Sequence, residues 1–156
     1  MGDRRRLTLG SLQAVQQLRT IRVIAAAFGS SVIVLAAVML AISSSWDSSF
    51  DTIAFGVPDS DDVGRLGVVI AGALGLAGLV AALTWRNYVS GRPHTGPAAL
   101  GTFIGATAIS ESGMLAGMVF SILAQALVPF WLGATLFIAS LVVMATAVGQ
   151  IEIDGA

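Results

Sequence analysis

The sequence contains no cysteine and no lysine, and only one histidine and one tyrosine. Without cysteine there are no disulfides, thiolate metal sites, thiol nucleophiles or lipid-modified cysteine anchor. Without lysine there is no phosphate-binding Gly-x-x-x-x-Gly-Lys loop, so a nucleotide site of that type is excluded. His94 stands alone in the segment "GRPHTGP" and cannot by itself build a metal cage or a catalytic triad. It is expected to be an exposed loop residue. Charge is also scarce: 11% of residues are charged and the net charge is −1. Soluble domains carry about 25% charged residues. No basic face is available for nucleic acid. No enzymatic activity, cofactor or metal is expected.

Apolar residues make up 56% of the 156. A chain so short of charge must have lipid as part of its solvent. Four apolar segments stand out, at about 21–42, 66–85, 98–128 and 130–149. A helix rising about 1.5 Å per residue needs roughly 20 residues to cross the hydrocarbon layer, and all four reach that length. The runs are continuous and show no strand-like alternation, so helices are expected. The first run is too long, and its leader too extended, for a signal peptide. The expected fold is all-α, a single membrane domain forming a four-helix bundle. Residues 1–20 precede it as a cytoplasmic or interfacial segment that continues helix 1, with Ser11 as a candidate cap.

All eight basic residues are arginine, which with the abundance of Ala, Gly and Val points to a GC-rich bacterial genome. Arg4, Arg5, Arg6, Arg19 and Arg22 precede helix 1; Arg86 and Arg92 lie between helices 2 and 3. The segment between helices 1 and 2 has five aspartates and no basic residue, whereas Arg65 alone sits at the opposite edge. The positive-inside rule then places both termini in the cytoplasm, as expected for a bacterial inner-membrane protein. The aspartates form a solvated outer loop; "PDSDD" lacks the Gly and Glu of a calcium-binding loop. Trp46, Phe50, Phe130 and Trp131 suit the outer interface, with a turn around Pro129.

Helix 2 carries Gly64, Gly67, Ala71, Gly75, Gly78 and Ala82, spaced 3, 4, 4, 3 and 4 on one helical face. Small residues let backbones approach closely in lipid, so this face is expected to meet another helix, within the chain or between copies. Helix 3 carries Glu111 inside an apolar run, "TAISESGMLAGMVF". A charge at the bilayer centre costs several kcal/mol, so such a carboxyl is expected to be protonated or to meet a cation, a basic side chain or water. No Arg or His lies at matching depth. Ile104, Thr107, Ala108, Met114, Leu115 and Met118 share its face, Gln125 lies nearly below it, and Thr107 offers a hydroxyl one turn away.

"AISESGMLAGMVFSIL" resembles the outer helix of the proteolipid, or c, subunit of rotary ATPases. Glu111 matches that family's carboxylate, Gly117 the glycine six residues later, and Met118 and Val119 the aliphatics that follow. Arg92 and Pro93 stand 19 and 18 residues before Glu111, where the family has its Arg-Gln-Pro turn. The glycine-rich helix 2 is similar to the family's inner helix. The resemblance covers residues 64–128; helices 1 and 4 have no counterpart in the two-helix form, and helix 2 lacks its Gly-x-Gly alternation. It implies a homo-oligomer packed through helix 2, with Glu111 binding and releasing an ion. Only Ser112 fits the hydroxyl of the sodium-binding members and helix 2 has no Gln, so protons are implied over sodium. The chain is also similar to small four-helix bacterial membrane proteins of unassigned function. Two other readings stay open: an accessory subunit among other membrane subunits, with Glu111 in an interhelical hydrogen bond, and a small oligomeric transporter or channel.

Overall fold

The chain forms four long helices, seen in a computed structural model that describes residues 3–46, 62–90 and 97–154. They are α1 (Asp3–Ser43), α2 (Asp62–Ser90), α3 (Pro97–Ala124) and α4 (Val128–Asp154). No strand occurs among the described residues. Four stretches are long and apolar enough to cross a membrane: Arg19–Ser43, Asp62–Ser90, Ala99–Ala124 and Val128–Val148. Ile33, Val69, Leu123 and Val142, one on each helix, point outward as parts of an apolar surface. The protein is all-α and built as a multi-pass membrane protein.

Helix boundaries depart from the sequence expectation in instructive places. α1 runs unbroken from Asp3, so the arginine-rich segment continues the first span as expected, but Ser11 lies inside the helix and does not cap it. α3 stops at Ala124 rather than Val128. Gln125 has φ 50°, and the Ala126 amide donates to the Ser121 carbonyl at 3.1 Å. This left-handed residue with a 6→1 bond is a Schellman termination. Gln125 therefore stands outside the helix and does not continue the Glu111 face. Pro129 is the second residue of α4, where its missing amide hydrogen costs no helical bond. Phe130 is fully buried, and its amide donates to Ser121 Oγ at 3.0 Å. Trp131 stays on the surface beside it, with ring centroids 5.2 Å apart. Trp46 is half-buried against the core. Arg92, Pro93, His94, Phe50 and four of the five aspartates lie outside the described residues; Asp62 opens α2.

Two apolar clusters mark the two ends of the bundle. Ile21, Trp85, Val89, Phe103, Met144 and Val148 gather where α1 enters, α2 leaves and α4 finishes. There Trp85 packs edge-on to Phe103 and donates Nε1–H to the Ala99 carbonyl at 3.2 Å, tying α2 to the start of α3. Val32, Met39, Met114, Leu127, Phe130, Ala134 and Phe137 fill the other end. The helices thus run up and down, with residue 21, the end of α2, the start of α3 and residue 148 at the same end.

All six small residues of the α2 stripe are buried. A Cβ on Gly67 would stand 2.5 Å from Phe120 Cβ, and one on Gly75 2.6 Å from Leu136 Cδ1. One on Gly78 would strike the Ser110 backbone. α3 and α4 meet the same way: a Cβ on Gly133 would be 2.5 Å from the Gly113 carbonyl oxygen. The stripe is filled by α3 and α4 of its own chain.

Candidate functional site

Glu111 sits at the middle of its span, 12 residues after Ala99 and 13 before Ala124. Helical geometry puts Thr107, Glu111, Met114 and Met118 in one stripe at intervals of 4, 3 and 4 residues. Thr107 and Met114 are fully buried; Ile104, Ala108, Leu115 and Ile122 face outward. Glu111 and Met118 are half-buried between these two arcs. The carboxyl is therefore at the edge of the core, neither sealed inside nor fully turned to lipid.

Every nearby hydroxyl is already committed to its own helix. Thr107 Oγ1 donates to the Phe103 carbonyl at 2.9 Å and lies 3.9 Å from Met144 Sδ. Ser110 Oγ donates to the Ala106 carbonyl at 2.9 Å and Ser112 Oγ to the Ile109 carbonyl at 2.6 Å. Such back-bonding satisfies a hydroxyl in lipid without a tertiary partner. The expected site residues Glu111, Thr107 and Ser112 thus lie within two turns, yet no hydrogen bond joins either hydroxyl to the carboxyl. Among the described residues no hydrogen bond or ion pair reaches Glu111 at all. No group of three or more His, Asp or Glu side chains that could hold a metal occurs among them either.

Sequence reasoning missed one part of the surroundings. Met39, Met114 and Met118 share a cluster with Phe28, Val32 and Leu35, and Met144 touches Thr107. Methionines of α1 and α3 thus belong to one cluster, on the side of α3 that carries Glu111. No local pattern announces this, because α1 meets α3 only through tertiary packing.

A lone carboxyl of this kind can hold a proton or meet a cation from outside the chain. No protein-family model, no curated protein and no solved structure matches the sequence.

Proposed function

We propose that the chain is a bacterial inner-membrane protein that takes up and releases a proton at Glu111. One observation carries this reading: a mid-span carboxyl, half-buried, with no polar partner among the described residues. A carboxyl kept only for an interhelical hydrogen bond would be expected to have that bond. Intramembrane ionisable groups are expensive, and one left uncommitted is retained for what binds to it. Among the described residues no clustered set of ligands stands near Glu111, which favours a proton over a coordinated metal ion. The reading keeps the carboxyl chemistry implied by the resemblance to rotary-ATPase proteolipids. It changes the assembly: the Gly/Ala face of α2 is occupied within the chain, so any association of copies would use other surfaces.

The test is modification by a hydrophobic carbodiimide in membranes across pH, read by peptide mass spectrometry. The reagent attacks protonated carboxyls in apolar surroundings. Selective labelling of Glu111 that falls as pH rises supports the proposal. A Glu111 that stays unlabelled at every pH overturns it.

A further inference from the structure

We draw no further inference here: the strongest candidate, the small-residue stripe of Gly101, Gly105 and Ala108 on the outward face of α3, one turn before Glu111, is open to its surroundings and nothing in the structure shows what covers it.

Discussion

The backbones of Gly75 and Gly113 meet so closely that a methyl group on Gly113 would stand 2.6 Å from the Gly75 amide nitrogen and 2.9 Å from its Cα. Gly133 closes on the Gly113 carbonyl from the third side. Hydrogen is the only side chain that fits where three helix backbones converge. Gly113→Ala is expected to destabilise the protein by about 1–3 kcal/mol, the usual cost of overpacking. Unfolding in mixed micelles with increasing denaturing detergent measures it.

Two glycines on the same helix should respond in the opposite sense. Gly101 and Gly105 face outward, and an added Cβ at either would meet nothing within 4 Å. Here glycine brings only a helix-propensity cost. Gly105→Ala is expected to leave stability unchanged or raise it by about 0.5–1 kcal/mol in the same titration. A loss comparable to that of Gly113→Ala would show that the outer face of α3 is covered in the membrane, by another copy or another subunit.

The α3–α4 turn depends on Ser121. Its hydroxyl accepts the Phe130 amide hydrogen at 3.0 Å in a fully buried setting. That amide belongs to the first turn of α4 and has no intrahelical acceptor. Ser121→Ala leaves it unpaired and is expected to cost about 1–3 kcal/mol. Ser112→Ala, which removes only a bond to its own helix at Ile109, should be near neutral. Comparing the two variants by thermal unfolding separates a tertiary hydroxyl from a local one.

At the same turn, Gln125 holds φ 50°, a conformation that costs non-glycine residues. Gln125→Gly should stabilise the protein by roughly 0.5–1 kcal/mol, since glycine is the preferred residue at this helix-ending position. A destabilised variant would mean that the Gln125 side chain itself makes a contact worth more than the relieved strain.

The termination at Gln125 also marks how far sequence alone could go. The four spans and the Gly/Ala face of α2 were legible because apolar length and 3–4 spacing are local signals. The end of α3 was not, because Gln125 carries no glycine or proline mark and the tertiary bond from Phe130 to Ser121 fixes it. The position of Glu111 in mid-span was legible from the run around it. Its place at the edge of the core was not, because that depends on which arc of α3 meets α4. The commitment of Thr107 to Phe103 and Met144 likewise comes from packing across helices, and it removes the partner that a one-turn spacing offered.

Glu111→Gln tests the central proposal most directly. The substitution keeps the shape and most of the polarity of the side chain but removes its ability to ionise. Because no intrachain hydrogen bond to the carboxyl is present among the described residues, none is lost. Stability is therefore expected to stay within about 0.5 kcal/mol of the parent, the range of surface substitutions that break no feature. Helical content by circular dichroism should be unchanged. Carbodiimide modification, in contrast, should vanish from the peptide carrying residue 111, and with it the pH-dependent proton uptake of reconstituted protein. If the variant unfolds or fails to accumulate, Glu111 is a structural group after all, bonded to something outside this chain. If the variant folds and proton uptake persists, the proton resides elsewhere and the assignment to Glu111 fails.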